Sequence, residues 1–411
     1  MFLESLRKRN PELIRVAAKL HREKRISPNT YVLDLDAIRQ NIRKIKEQAK
    51  KFNLEVYPMT KQIGRNPFVL KIIKEEDLGP PVAVDWMGAK QLGEQGIRIG
   101  HIGHLVQVPH TEVESILRLR PEVWTVFSLE KAKQLSEVAC YLGVRQKVLL
   151  RVAGENDMFY PGQAGGILVK ELTEIARKIC DLPNVDLVGV TSFPCLLFDV
   201  NRKDVYVTPN LDTIIKAAQD LENTLGIAIT QINAPGTTSA VTMEILAKKG
   251  ATHVEPGHGM SGSTPLHAFR ELPEIPAIVY LTEISHIYAK QAYCYGGGLY
   301  VDPVIPQYPL KALVGATMDR LSEQKLNAEL VPLGGIDYYG MIELNRYNNV
   351  KIGDTVIFGF RPQIFVTRAN IAAISGIQKE TPKIEGIFCQ TWLQNEKLKN
   401  HSEFESSLRS V

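Results

Sequence analysis

Cysteine is scarce in this chain of 411 residues: five, at positions 140, 180, 195, 294 and 389. Their odd number and wide spacing exclude a disulfide framework and a CxxC metal site. No apolar run approaches the roughly 18 residues of a membrane span. The opening Met1-Phe2-Leu3-Glu4-Ser5-Leu6-Arg7-Lys8 is charged and helix-like, and lacks the apolar core of a signal peptide. A soluble, reducing, cytoplasmic setting is the expectation. Charge of one sign is also lacking. The net charge is only +4, from 49 basic and 45 acidic residues, too mild for nucleic acid or a membrane surface as partner. There is no low-complexity segment.

What is present is ordinary globular composition, 44% hydrophobic and 23% charged, at a length that suits two domains. Residues 3–23 read as one amphipathic helix. A short strand, Tyr31-Val32-Leu33-Asp34-Leu35, follows. Asp36 is placed to cap a helix through Ile38, Ile42, Ile45 and Ala49, spaced three and four apart. Apolar strand candidates then recur at 54–59, 82–85, 101–106, 123–127, 147–153, 186–191, 229–233 and 252–255. Helical patterns lie near 67–75, 87–96, 111–119, 128–143, 167–180, 208–225 and 239–249. Eight β/α units predict an α/β fold, a (β/α)8 TIM barrel. An open doubly wound sheet is the runner-up, but no GxGxxG follows its first strand.

The pattern changes near residue 270. Pro273, Pro276, Pro303, Pro306 and Pro309 punctuate it, and alternating strands are expected at 277–289, 291–296, 310–317, 327–332, 354–359, 370–377 and 384–389. The predicted organisation is an N-terminal helical extension over 1–29, a barrel over 30–270 and a mostly antiparallel β domain over 271–411, frayed from Asn400 to Val411.

Barrel enzymes carry their chemistry at the C-terminal ends of the strands. Lys61 ends the first strand, a position from which a lysine can hold an aldehyde cofactor as a Schiff base. Asp85 follows strand two, Gln107 and His110 strand three, Arg151 lies on strand five, and Thr191, Ser192 and Phe193 end strand six. After strand seven come Asn233 and Pro235-Gly236-Thr237-Thr238-Ser239. After strand eight comes Glu255-Pro256-Gly257-His258-Gly259-Met260-Ser261-Gly262-Ser263-Thr264. Both last loops are rich in Gly, Ser and Thr, which suits a phosphate cradle of backbone N–H groups and hydroxyls; capping by Thr237 or Ser239 is the plainer reading. His101, His104 and His110 cross a strand into a loop and are read as structural, with no metal site expected.

Together these residues resemble the fold type III pyridoxal-phosphate (PLP) enzymes: alanine racemase, the barrel-type amino-acid decarboxylases, and D-threonine aldolase with D-serine dehydratase. The likeness spans roughly residues 30–270 and the β domain more loosely. Met-Thr-Lys61-Gln and Glu255-Pro-Gly-His-Gly are typical of a bacterial amino-acid racemase-like subgroup. The resemblance implies that Lys61 holds the cofactor. Gly236, Thr237 and Thr238 would bind its phosphate, with Gly257, His258 and Gly259 as the second phosphate turn. Glu255 would face the pyridine nitrogen, where alanine racemases carry arginine and the decarboxylases a glutamate. Asn233 stands among the cofactor contacts, and Arg151 would meet the phenolate oxygen or a carboxylate.

Strand six departs from the family: a histidine usually lies against the ring, and here Ser192 or Phe193 takes its place. The segment Ala292-Tyr293-Cys294-Tyr295-Gly296 resembles the racemase stretch that carries a catalytic tyrosine. It makes Tyr295 the second acid or base, with Cys294 as the alternative. Where the aldolase and dehydratase hold metal, Arg361 and Gln363 stand, and neither is a zinc ligand. The expected function is a PLP-dependent amino-acid racemase, moving the Cα proton between Lys61 and Tyr295 in a homodimer that shares its active sites. Decarboxylation, or a D-amino-acid lyase reaction, is the alternative. Tyr160, Asp199 and Arg202 are further possible substrate contacts.

Overall fold

The structure, a computed structural model, describes residues 1–301, 310–332 and 335–389. Pro303, Pro306, Pro309 and the segment Asn400 to Val411 lie outside the described residues. The chain forms two units. One contains 37–276, and the other combines 6–36 with the chain from Ala277 onward.

The first unit is the barrel. Its eight strands are Glu55–Val56, Val82–Ala83, His101–Ile102, Val123–Val126, Gln146–Ala153, Val185–Thr191, Gln231–Asn233 and His253–Val254. All pair in parallel, in chain order. The eighth returns to the first through His253 and Glu55, and Met59 bridges to Val82 to complete the ring. Helices Pro67–Glu75, Trp86–Glu94, Val113–Leu117, Leu129–Leu142, Leu172–Cys180, Pro209–Leu225 and Met243–Lys249 separate the strands. Local chemistry explains where they begin. Asn66 accepts from the N–H groups of Phe68 and Val69 with Pro67 in the first helical position, and Asp85 and Ser128 cap the next two long helices. Inside the barrel Tyr57, Met59, Val82, Val84, Val123 and Leu149 pack together, each burial contributing about 1.5–3 kcal/mol.

The helix Leu35–Lys51 precedes the first strand and buries Ile38, Ile42, Ile45 and Ala49 as their spacing predicts. Its first turn is held by Asp34, whose Oδ1 accepts from the Asp36 N–H at 3.1 Å. Asp36, expected as the cap, lies inside the helix and accepts from the Gly376 N–H instead. Further along, buried Asn41 donates to the carbonyls of Met260 and Ile275 and accepts from the Ile275 N–H, which fixes the chain beyond strand eight.

The second unit corrects the expected boundary at residue 30. The strand Thr30–Asp34 does not open the barrel. It pairs antiparallel with Ile278–Leu281 and parallel with Asn370–Ile374. The strand Ile278–Tyr288 also closes a ring with five more, in the order 278–288, 291–295, 339–343, 325–329, 311–315, 355–358, every pair antiparallel. The expected single helix over 3–23 is two, Phe2–Arg9 and Pro11–Arg22. Asn10 breaks it: its side chain caps the second helix by accepting from Leu13, and Pro11 has no N–H with which to continue the first. No helix among the described residues is long and apolar enough to cross a membrane.

Candidate active site

Lys61 opens a single 3-10 turn, Lys61–Ile63, just past the first strand. Gly64 ends it with φ 61°, and its N–H returns to the Lys61 carbonyl at 3.1 Å. The strand end is tied to its neighbours: the Met59 N–H bonds to the Pro256 carbonyl at 2.9 Å, and the Val82 N–H to Pro58 at 3.1 Å. Lys61 is half-buried, and its charge is felt at His104, where it disfavours protonation.

Glu255 is the centre of this end of the barrel. Its side chain is 1% exposed. Oε1 lies 2.7 Å from His101 Nδ1 and accepts from Asn233 Nδ2 at 2.8 Å. His101 Nε2 lies 2.6 Å from Thr125 Oγ1. Oε2 lies 3.4 Å from His104 Nε2, yet it is buried without a hydrogen bond. Burial alone would raise the Glu255 carboxyl. The neighbouring His104 and His101 rings, with the hydrogen bonds from His101 and Asn233, outweigh it and hold the group down at about 2. Burial pushes His104 down to about 3, so its ring is neutral at physiological pH.

The sequence treated His101, His104 and His110 alike. The structure separates them: His101 and His104 are buried against Glu255, and His110 is exposed. The ligand atoms of His101, His104 and Glu255 lie within 4.8 Å of one another. Both ring nitrogens of His101 already face protein partners, so this ring has no free lone pair for a metal.

The loop after strand seven is less open than expected. The N–H groups of Thr237, Thr238, Ser239 and Ala240 bond to Leu196 O, Gly236 O, Thr242 Oγ1 and Glu274 Oε1. Thr237 and Thr238 therefore have only their hydroxyls left to offer a ligand, and the Thr238 hydroxyl also leans on Gly236 O at 3.5 Å. Ser239 is the cap residue, and its N–H is held by Thr242 Oγ1 at 2.9 Å. Among the described residues, the N–H groups of Gly236, Gly257 and Gly259 meet no protein acceptor. Gly236 is needed for close approach: a Cβ there would lie 2.6 Å from the Leu196 backbone nitrogen, whereas one on Gly257 would meet only the side-chain end of Gln62. His258 Nδ1 lies 3.1 Å from Ser263 Oγ, which stiffens the second turn.

Other expected residues fall elsewhere. Arg151 is wholly buried and donates to the carbonyls of Gly165, His104 and Gln163 at 3.0, 2.8 and 2.7 Å. These three bonds tie together the loops that carry the carbonyls. Asp85 is a helix cap, and Gln107 bonds to Gly103, Thr125 and Phe127 backbone. Ser192 is buried and its Oγ accepts from Asn210. Phe193, joined to Pro194 by a cis peptide, sets its ring 5.5 Å edge-on from His104 and 5.7 Å from Tyr160. Asp199 and Arg202 shape the tip of a hairpin, Leu196–Asp199 with Asp204–Val207.

In the second unit, Cys294 is fully buried with Sγ 3.6 Å from Gly340 O, and burial pushes its thiol up to about 12. Tyr295 is 38% exposed and lies 6.0 Å from the Tyr339 ring. The segment around Arg361 and Gln363 leads into a short turn, Ile364–Val366.

A parallel eight-stranded barrel with a strand-one lysine, a buried strand-eight glutamate and glycine turns, joined in one chain to an antiparallel β domain, has known relatives. Residues 33–265 match the family "Alanine racemase, N-terminal domain", and the chain belongs to it, within the fold type III PLP enzymes. Residues 279–384 match "YhfX-like, C-terminal domain". The chain is 39% identical over 386 residues, 94% of its length and 97% of the relative's, to "Uncharacterized protein YhfX" of Escherichia coli (strain K12). Solved structures share the fold. D-threonine aldolase from Filomicrobium marinum aligns with TM-score 0.68 at 14% identity, over 89% of this chain and 95% of that one. Alanine racemase from Clostridium difficile 630 aligns with TM-score 0.61 at 17% identity, over 89% and 99%. Diaminopimelate decarboxylase from Helicobacter pylori aligns with TM-score 0.63 at 15% identity, over 93% and 98%.

Proposed function

We propose that this protein binds pyridoxal 5'-phosphate at Lys61 and racemises an amino acid. The observation that carries the cofactor assignment is Glu255 Oε2, a buried, ionised carboxylate oxygen without a hydrogen bond. Such an oxygen is costly unless a ligand donor meets it, and a protonated pyridine nitrogen is such a donor. The residues fit the rest of the group. Lys61 supplies the amine, and the N–H groups of Gly236, Gly257 and Gly259 suit its phosphate. Pyridoxal phosphate, when bound, supplies an electron sink for the pair left at Cα.

The chain's own residues divide the remaining work. Glu255 keeps the ring nitrogen protonated, which strengthens the sink. Lys61 takes or returns the Cα proton on one face. Tyr295, contributed by a second copy of the chain, serves the other face, so the working form is a homodimer. The exposure of Tyr295 supports this choice over the buried Cys294.

Decarboxylation is the second reading, favoured by a carboxylate at position 255 as in the barrel decarboxylases. The buried, high-pKa Cys294 thiol weighs against it, since a cysteine is the acid there. Arg361 and Gln363 weigh against a metal-dependent lyase.

The test is incubation with PLP and a panel of amino acids in deuterated water. Racemisation puts deuterium at Cα with loss of optical purity. Release of CO₂ with an amine product would replace this reading by decarboxylation. Neither outcome with any amino acid would reject both.

A further inference from the structure

We propose that His101 is a positioning residue for the cofactor ring: it pins Glu255 Oε1 so that Oε2 alone is presented to the ring nitrogen. The inference rests on the PLP reading above and adds a residue to it.

A carboxylate only accepts, so the 2.7 Å contact from His101 Nδ1 to Glu255 Oε1 requires the hydrogen on Nδ1. The ring is held at its other end by Thr125 Oγ1, 2.6 Å from Nε2 on the neighbouring strand. Asn233 Nδ2 donates to the same Oε1 at 2.8 Å from strand seven. Four strands thus meet at one carboxylate: Glu255 follows strand eight, strands three and seven fill Oε1 through His101 and Asn233, and strand four anchors the histidine through Thr125. All four side chains are buried. The carboxylate cannot exchange its oxygens without breaking both bonds, and the oxygen left over is the one without a hydrogen bond.

Without the His101 donor, Oε1 keeps one bond of two. The carboxyl group is then free to turn or to take up a proton, and in either case Oε2 weakens as an acceptor. The loss falls on contact with the ring nitrogen and spares the phosphate and the aldehyde.

Two ligands read this selectively: pyridoxal phosphate and its deaza analogue, in which carbon replaces the ring nitrogen. Both are titrated into cofactor-free protein and their dissociation constants compared as a ratio. Wild-type protein is expected to prefer pyridoxal phosphate by about tenfold or more, the scale of a hydrogen bond to a charged group. His101→Leu should reduce the preference to about threefold or less. His101→Asn, whose Nδ2 restores a donor near the Nδ1 position, should recover most of it. A general packing defect would weaken both ligands together and leave the ratio intact.

An unchanged ratio in His101→Leu would overturn the inference and leave the cofactor assignment standing. Failure of the wild type to bind either ligand would sink the cofactor assignment itself, and this inference with it. If His101→Leu does not fold, Thr125→Val removes only the Nε2 partner and should lower the same ratio; an unchanged ratio there would likewise overturn the inference.

Discussion

Cys294 and Tyr295 are neighbours on one strand, yet Cys294 is fully buried and Tyr295 is 38% exposed. Strand geometry alternates side chains between faces, so one faces the interior of its ring of strands and the other faces out. On the proposed racemase reading, Tyr295 is the second acid or base and Cys294 a packing residue. Tyr295→Phe removes one hydroxyl from an exposed position. It should lower Cα proton exchange by about 10²-fold or more while leaving the unfolding midpoint nearly unchanged. Cys294→Ala should do the reverse, costing about 1 kcal/mol in urea unfolding with exchange retained. Exchange rates and denaturation curves on both variants check the division.

His104 carries a pH signature. Burial lowers its folded pKa to about 3, below the ordinary histidine value of 6.5. A group depressed in the folded state contributes stability that is present above its unfolded pKa and lost as pH falls toward its folded one. The window is therefore pH 6.5 down to about 3. Between neutral pH and one and a half units below the unfolded pKa, wild type should lose about 2 kcal/mol more than His104→Asn. Urea unfolding at the two pH values measures the difference.

Gly236 tests the anion cradle. A Cβ there would meet the Leu196 backbone at 2.6 and 2.8 Å, and backbone cannot move aside as a side-chain tip can. Gly236→Ala should weaken pyridoxal phosphate by about tenfold through the displaced loop. Unphosphorylated pyridoxal should change by no more than about twofold. Equilibrium titration of both ligands checks this.

Arg151 tests the scaffold. Its guanidinium bonds three carbonyls, those of His104, Gln163 and Gly165, from a fully buried position. Arg151→Ala leaves them without donors and should cost at least about 3 kcal/mol. Arg151→Lys should recover less than half, because an ammonium lacks the planar fork that spans three acceptors. Urea unfolding of both variants gives the comparison.

Most of the barrel was legible because each strand is a short apolar run ended by a breaker, and each helix shows its buried face at three- and four-residue spacing. Thr30–Asp34 was not assignable in that way. Its apolar run reads the same in either sheet, and its partners near residues 280 and 372 lie far along the chain. Tyr339–Glu343 shows no clear apolar alternation in sequence, with a glycine as its second residue. Lys61 and Glu255 were legible from strand-end position. The link from His101 to Glu255 was not, because it joins residues 154 apart across the barrel. Its one signal was a histidine within an apolar strand, which by itself marks only a satisfied core residue. Arg151 was visible as an unusual strand arginine, but its acceptors are loop carbonyls that have no sequence signature.

The measurement that bears most directly on the central claim is the near-ultraviolet and visible absorption of the protein after incubation with pyridoxal phosphate and removal of the excess. The account predicts a bound-cofactor band that sodium borohydride traps covalently on the peptide containing Lys61. Lys61→Ala should show neither the shifted band nor the trapped adduct. A wild-type protein that retains no cofactor, or an adduct carried on another lysine with Lys61→Ala unaffected, would contradict it.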